Sequence, residues 1–128
     1  MSTHAFVGIK TADGSVTSIY VHNDGYPEGL GQILSSHYNT QELADKLVEL
    51  GDCSCVCERL SPEDGEEHSF DHPVDDVTVA YHRDRGEDWE DVEPRHYDNV
   101  GKFKRGCGSD SFCYLFEDGG WKCLNADK

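Results

Sequence analysis

Most of the side chains that could do chemistry together lie in one short stretch, residues 20–38, which reads YVHNDGYPEGLGQILSSHY. It combines aromatic rings, an imidazole, a carboxylate, a proline and glycine amides, contributed by Tyr20, His22, Asp24, Gly25, Tyr26, Pro27, Gly29 and Gly31. Backbone N–H groups at a glycine-flanked helix start can receive an anion. The pattern predicts a loop that binds a small ligand, although it matches neither the Walker phosphate-binding loop nor a dinucleotide fingerprint.

Two arginines and a tryptophan complete the predicted binding site. Arg83 and Arg85 flank Asp84 in an otherwise acidic part of the chain, and arginine suits bidentate contacts to phosphate or carboxylate groups. We expect a negatively charged nucleotide to be held by the glycine amides and these arginines, with Tyr26 or Trp121 stacking on its base. The alternative is an internal ion-pair network, in which the arginines hold down the acidic loops and Tyr26 fills the core.

Six cysteines and seven histidines supply enough donors for a zinc site. Cys53, Cys55 and Cys57 alternate, so in a strand all three thiols would lie on one face. Their C-x-C-x-C spacing lacks the paired C-x-x-C of structural zinc sites, which makes them weak metal candidates. Burial as small apolar side chains is the favoured interpretation, and no cofactor is predicted.

No catalytic frame is recognisable. His22 with Asp24, or His37 with Asp52, would supply a base and a group that orients it, but no nucleophile elbow accompanies either pair. With 26 acidic residues, some pair of carboxylates always resembles a hydrolase site. The sequence therefore favours a protein without catalytic residues, and a small metal-dependent enzyme ranks third among the hypotheses below.

Negative charge is the strongest compositional signal. The chain has 26 acidic against 11 basic residues and a formal net charge of −15, which argues against direct binding to nucleic acid. Residues 58–93 hold fourteen Asp or Glu and three Arg. Two interpretations stay open: a surface that imitates a phosphate backbone toward a basic partner, and a loop that its charges merely keep solvated.

The elements that must position these residues follow from turn and periodicity signals. They are a hairpin of strands 5–10 and 15–22 around Asp13 and Gly14, a helix capped by Asn39 and closed by Gly51, a strand at 77–82, and a hairpin of strands 112–116 and 121–124 around 117–120. Strand alternation places Tyr20 and His22 on one face.

The order of these elements predicts an α+β fold, an antiparallel sheet of about five strands with two helices packed on one face. Residues 1–128 are expected to form a single domain, with a long acidic loop around 58–76 and an irregular segment around 83–110. Uncovered strand edges, such as that of residues 5–10, make a homo-oligomer possible. The longest apolar run is far below the ~20 residues that span a bilayer, so we expect a soluble protein with reduced cysteines and no membrane partner.

Four segments, SIYVHNDGYPEGLGQILSSHY, LVELGDCS, YHRDRGED and SFCYLFEDGGWKC, carry a resemblance that covers most of the chain in patches. Together they resemble a family of small proteins of tailed phages and prophages whose activity is not settled. The matching residues are Tyr20, His22, Asp24, Gly25, Tyr26, Pro27, Gly29, Gly31, His37, Tyr38, Gly51, Asp52, Arg83, Asp84, Arg85, Gly86, Glu87, Tyr114, Phe116 and Trp121. The chain departs from the family pattern at Asn23, where an aromatic residue is expected, and at its three alternating cysteines.

The resemblance implies a phage accessory protein that acts in the cytoplasm of the host bacterium. Because such genes often counter host defence, we expect a non-catalytic protein that sequesters a nucleotide immune signal. The alternative is an acidic, DNA-mimic-like inhibitor that binds a basic groove of a host nucleic-acid-binding or immune protein, such as a CRISPR effector. The expected partner is thus a nucleotide-type small molecule or a basic host protein.

Overall fold

A computed structural model describes residues 3–108 and 111–125 of the chain. Its described strands form one seven-stranded sheet: β1 (Ala5–Lys10), β2 (Val16–Val21), β3 (Cys53–Cys55), β4 (Val79–Ala80), β5 (Arg95–Tyr97), β6 (Phe112–Glu117) and β7 (Gly120–Cys123). A π-helical turn (Pro27–Gly31) leads into the first of the five α-helices found in these residues: α1 (Gln32–His37), α2 (Gln41–Glu49), α3 (Tyr81–Arg85), α4 (Trp89–Val92) and α5 (Val100–Cys107).

The sheet is mixed rather than antiparallel. Its strand order is β4-β3-β2-β1-β6-β7, and β5 pairs with β2 alongside β3. β1 runs antiparallel to β2 but parallel to β6, and β2 runs parallel to β3. The prediction of about five antiparallel strands is therefore wrong, because the helical connections return the chain to the sheet in its original direction. The α+β class itself is confirmed.

One face of the sheet carries α1 and α2, as predicted. Ala44, Leu47 and Val48 of α2 are buried against inward-facing residues of the central strands such as Ile19. The cap of α2 lies one residue later than predicted, since the Thr40 Oγ1 accepts the Leu43 N–H at 3.2 Å. The helix ends as expected at Gly51, whose φ is +81°.

The other face is covered by α5, which the sequence left unassigned. Phe103 of α5 is fully buried and packs with Val16 and Leu115. The same core holds a disulfide between Cys107 and Cys113, which differs from the expectation of reduced thiols. β1 lies between β2 and β6 and is packed on both faces, which corrects the prediction that helices pack on one face only.

Two further predictions are corrected in the second half of the chain. The expected strand at 77–82 is shorter: Val79–Ala80 forms β4, Val77 makes an isolated bridge to Arg59, and α3 begins at Tyr81. The segment 83–110, expected to be irregular, contains α4, β5 and α5 within its described part. Its charged and glycine-rich composition hid these elements, because they are short and owe their order to packing on the sheet.

Both hairpins form as predicted. Gly14 has a φ of +87° at the first turn, and Asp118 and Gly119 have φ values of 53° and 80° at the second. Successive positive φ values are the signature of a tight turn that matches strand twist. Aspartate and glycine tolerate this backbone conformation, and for that reason local sequence was enough to locate both turns.

Gly8 in β1 provides a test of this two-faced core. A Cβ added there would lie 2.8 Å from the Val16 Cγ1 and 2.9 Å from the Phe103 ring. We expect Gly8→Ala to lower the free energy of unfolding by about 1–3 kcal/mol through overpacking. Urea denaturation measures the loss. The control is Gly120→Ala in β7, where an added Cβ meets nothing within 4 Å; equal stability of the two variants would contradict this packing.

Candidate functional site

The glycine turn after β2 is closed rather than open to an anion. The Gly25 N–H donates to the Thr3 carbonyl at 2.9 Å, and the Gly29 N–H donates to that of Tyr26 at 3.0 Å. The Gly31 N–H also points at the Tyr26 carbonyl, at 3.5 Å. A Cβ on Gly25 would lie 2.7 Å from that of Ala5, so glycine is required here by close packing. Because these N–H groups already donate to carbonyl oxygens of the protein, they do not form the main-chain anion site predicted from the sequence.

Tyr20 and His22 do point together, as strand alternation predicted. The Tyr20 hydroxyl lies 2.9 Å from the His22 Nδ1, and the His4 ring centroid lies 4.6 Å from that of His22. The His4 Nδ1 is 2.8 Å from the His22 carbonyl oxygen and must donate to it, which sets the His4 tautomer. Tyr20 also contacts Phe6 on the α5 side of the sheet. Burial raises the pKa of Tyr20.

Pro27, Gly31 and Trp121 converge instead on the α1 side of the sheet. They line a shallow groove of about 260 Å³ together with Gln32, Ser35, Tyr114, Lys122 and Cys123. The Trp121 indole N–H donates to the Tyr38 carbonyl at 2.8 Å, which holds its ring in place. The predicted binding residues are thus divided between the two faces of the sheet, because the turn carries the chain from one face to the other.

Arg83 is occupied inside the protein. Its guanidinium donates to the carbonyl oxygens of Thr78 at 2.6 Å and Leu60 at 2.8 Å, and to both carboxylate oxygens of Asp84 at 2.9 and 3.0 Å. The Asp84 side chain is only 5% exposed. Burial opposes its ionisation, but the hydrogen bonds from Arg83 and the Ala80 N–H outweigh burial and lower its pKa.

His68 extends this network into the acidic loop. Its Nδ1 accepts the Val74 N–H at 2.9 Å, so the proton lies on Nε2, which faces Asp84 at 3.1 Å. Arg85 lies 4.7 Å above the Phe70 ring and pairs with Glu87 at 3.4 Å. These contacts favour the alternative in which the arginines hold down the acidic loops. Tyr26, however, is 39% exposed and does not fill the core.

Asp52 and Arg95 form an ion pair that sequence analysis missed. Asp52 is buried, accepts the Tyr20 N–H at 2.8 Å and receives two hydrogen bonds from Arg95 at 2.9 and 3.1 Å. It therefore joins β2, β3 and β5 and does not orient His37. No local signal links two residues 43 positions apart, so only the fold reveals the pair.

The three alternating cysteines separate into one buried thiol and one pair. Cys53 is fully buried, and its S–H donates to the Gly51 carbonyl at 3.3 Å. The Sγ atoms of Cys55 and Cys57 lie 3.8 Å apart. Within the described residues, no group of three or more His, Cys, Asp or Glu side chains is placed to hold a metal ion.

The outward-facing charge comes mainly from residues 58–93, here called the acidic segment. Three of its fourteen acids, Glu66, Asp84 and Glu87, pair with its three arginines, Arg59, Arg83 and Arg85. The other eleven acids are all exposed, and none has an ion-pair partner among the residues described: Glu58, Glu63, Asp64, Glu67, Asp71, Asp75, Asp76, Asp88, Glu90, Asp91 and Glu93. The segment therefore presents uncompensated negative charge to solvent.

No protein-family model, curated protein or solved structure matches the chain. Its resemblance to a phage family accordingly stays a prediction. In the part of the chain that the structure covers, no helix has the length and apolar character that crossing a membrane requires.

Truncating Arg83 tests whether it is structural. We expect Arg83→Ala to lower the free energy of unfolding by about 2–3 kcal/mol, because the buried Asp84 carboxylate loses its guanidinium partner and, among the described residues, keeps only the Ala80 N–H and His68 as donors. The loss is smaller than for a fully buried pair, since the Arg83 side chain is 26% exposed.

Arg85→Ala is the matched control for that experiment. The Arg85 side chain is 52% exposed, and surface contacts of this kind are worth about 1 kcal/mol or less. Chemical denaturation of both variants gives the comparison. A loss no greater for Arg83→Ala than for Arg85→Ala would show that the network around Asp84 does not stabilise the fold.

Proposed function

We propose that this protein is a phage-encoded, non-catalytic inhibitor that counters host defence by binding a basic groove of a nucleic-acid-binding or immune protein, such as a CRISPR effector. The observation that carries the proposal is the set of eleven exposed carboxylates of the acidic segment that have no ion-pair partner among the described residues. A nucleic-acid-binding groove is lined by Lys and Arg, and it is complementary to such a surface.

The acidic segment is anchored to the rest of the protein, which favours a binding surface over a loop that its charges merely keep solvated. The Arg59 side chain donates to Glu66 at 2.8 Å and to the Asp75 carbonyl at 3.0 Å, which closes the loop on itself. Arg83 ties Leu60 to Thr78, and Arg85 lies over Phe70. Carboxylates on an ordered backbone lose less conformational entropy when a partner binds, which favours tight association.

The charge also determines how such an inhibitor would associate. A surface of one sign steers an oppositely charged partner and accelerates encounter, and salt screens this effect. Burial of the partner's basic groove would then exclude nucleic acid from it. The proposal requires no catalytic residue and no cofactor.

A second candidate function, binding of a nucleotide-type signal, is favoured by one observation. Pro27, Gly31 and Trp121, three residues of the predicted binding site, line one groove of about 260 Å³. The cation in that groove, Lys122, is already paired with Glu117 at 2.7 Å, and both Arg83 and Arg85 are engaged elsewhere. The groove therefore offers an aromatic edge but little positive charge to a phosphate group.

The test compares two triple variants that change the net charge equally. Glu63→Gln, Glu67→Gln and Asp71→Asn neutralise exposed acids of the acidic segment, whereas Glu28→Gln, Glu49→Gln and Asp118→Asn neutralise exposed acids elsewhere. Binding to a purified CRISPR effector is measured by displacement of its target DNA over a range of salt concentrations. We expect wild-type affinity to fall as salt rises, and the first variant to bind at least about tenfold more weakly, equivalent to ~1.4 kcal/mol.

The control variant should bind within about threefold of wild type. Equal weakening of both variants would show that net charge, and not this surface, drives binding. Plaque assays on immune bacteria that express each variant test the biology, and failure of the wild-type protein to protect phage would overturn the counter-defence function. A thermal shift with cyclic nucleotides that Trp121→Ala abolishes would support the second candidate instead.

A further inference from the structure

Cys55 and Cys57 form a thiol pair that the proposed function does not use. They are separated by one residue at the end of β3, both are partly exposed, and their Sγ atoms lie 3.8 Å apart. The other free thiols in the described chain lack such a partner. Cys53 is fully buried, and the Cys123 sulfur lies near the Asn125 side chain at 3.7 Å.

The backbone around the pair is held in place. The Cys57 N–H donates to the Thr78 hydroxyl at 2.9 Å, and the Cys57 carbonyl accepts the buried Tyr38 hydroxyl at 2.7 Å. The β3–β4 pairing shifts register between Cys53 and Cys55, which breaks the regular strand alternation. These contacts bring the Cys55 and Cys57 side chains together instead of leaving them parallel along a strand.

We propose that Cys55 and Cys57 are a redox-active dithiol, which is oxidised to an intramolecular disulfide by exchange with a small-molecule disulfide such as glutathione disulfide. A disulfide requires a sulfur–sulfur distance of about 2.05 Å, so side-chain rotation must close roughly 2 Å. This proposal stands independently of the proposed inhibitory function.

Cys55 is the attacking thiol in this exchange. The Cys55 sulfur lies within hydrogen-bonding distance of the Cys57 sulfur and also accepts the Val79 N–H. When Cys55 is ionised the Cys57 S–H donates to it, and both hydrogen bonds lower the pKa of Cys55 to about 7, while the pairing raises the pKa of Cys57. A thiol with a pKa near ambient pH combines a sizeable thiolate fraction with good nucleophilicity. Cys57 is therefore the resolving thiol.

The reaction proceeds in two balanced steps. The Cys55 thiolate attacks one sulfur of glutathione disulfide, whose S–S bond breaks and releases one glutathione thiolate, leaving a mixed disulfide on Cys55. Cys57 then loses its proton and attacks the Cys55 sulfur, which releases the second glutathione thiolate. Two electrons pass from the protein dithiol to the small disulfide, and two glutathione thiols form after protonation.

The position of the pair gives the oxidation a structural consequence. Cys57 immediately precedes Glu58, the first acid of the acidic segment. The new bond would add a covalent link between the end of β3 and the root of that segment. The loop that this bond closes spans only residues 55–57, so the constraint it adds is local.

The test treats the full-length protein, reduced and then freed of reductant, with glutathione disulfide at neutral pH. Tryptic cleavage after Lys46 and Arg59 yields a peptide, residues 47–59, that contains Cys53, Cys55 and Cys57. We expect this peptide to lose two hydrogen masses and to carry no glutathione, with fragmentation placing the bond between Cys55 and Cys57. Two glutathione adducts on the peptide, or a bond to Cys53, would overturn the proposal.

Single variants identify the role of each thiol. Cys57→Ser should trap one glutathione on Cys55, since the serine hydroxyl keeps a donor beside the Cys55 sulfur. Cys55→Ser should slow modification of Cys57 at least about tenfold, because Cys57 must then attack glutathione disulfide in solution instead of a mixed disulfide held next to it on Cys55. Cys123→Ser is the control and should leave the disulfide between Cys55 and Cys57 unchanged. If Cys55 in the Cys57→Ser variant reacts no faster than Cys123, Cys55 is not an activated thiol and the proposal fails.

Phenylarsine oxide, an arsenical that bridges two neighbouring thiols, provides a second measurement on the unaltered chain. The reduced protein should take up one equivalent at the 47–59 peptide, and prior treatment with glutathione disulfide should prevent this uptake. Uptake that is equal before and after oxidation would show that the two sulfurs do not form a disulfide, whatever the stability of the cysteine variants.

Discussion

The position of the acidic segment depends mainly on one guanidinium, that of Arg83, whose hydrogen bonds are all made inside the protein. It gathers the Leu60 and Thr78 carbonyl oxygens and the Asp84 carboxylate at one point. A buried carboxylate without such a partner would carry a large desolvation penalty, and the hydrogen bonds offset it. The loop therefore lies against the sheet, and the carboxylates that pair with none of the three arginines face solvent.

The position of β1 at the centre of a mixed sheet determines which residues can form a site together. Helices cover both of its faces, and Gly8 lets the Phe103 ring approach the strand closely. The segment after β2 crosses from one face to the other, so residues that are close in sequence become separated in space. Tyr20 and His22 end on the α5 side, whereas Pro27 and Gly31 contribute to a groove on the α1 side.

Charge and thiol chemistry meet at one boundary of the fold, where β3 ends and the acidic segment begins. The segment owes its fixed position to three arginines that pair internally, and its outward charge to eleven acids that pair with no residue in the part of the chain that the structure describes. Cys55 and Cys57 lie at the root of this surface, held by Thr78 and Tyr38. The proposed binding surface and the proposed redox-active pair thus meet at Thr78, whose hydroxyl accepts the Cys57 N–H and whose carbonyl accepts a hydrogen bond from Arg83.

The sequence by itself determined the local features: the α+β class, the hairpin turns at Gly14 and Gly119, the end of α2 at Gly51 and the common direction of Tyr20 and His22. Each follows from backbone preferences or periodicity within a few residues. Only the tertiary structure decided the parallel pairings, the place of α5 and the partners of Arg83 and Asp52. It also closed the glycine turn, where the Tyr114 hydroxyl reaches the Gly25 carbonyl across 89 positions of sequence. Such contacts depend on which remote segments meet, because a donor or an acceptor bonds to whatever group the fold brings within reach.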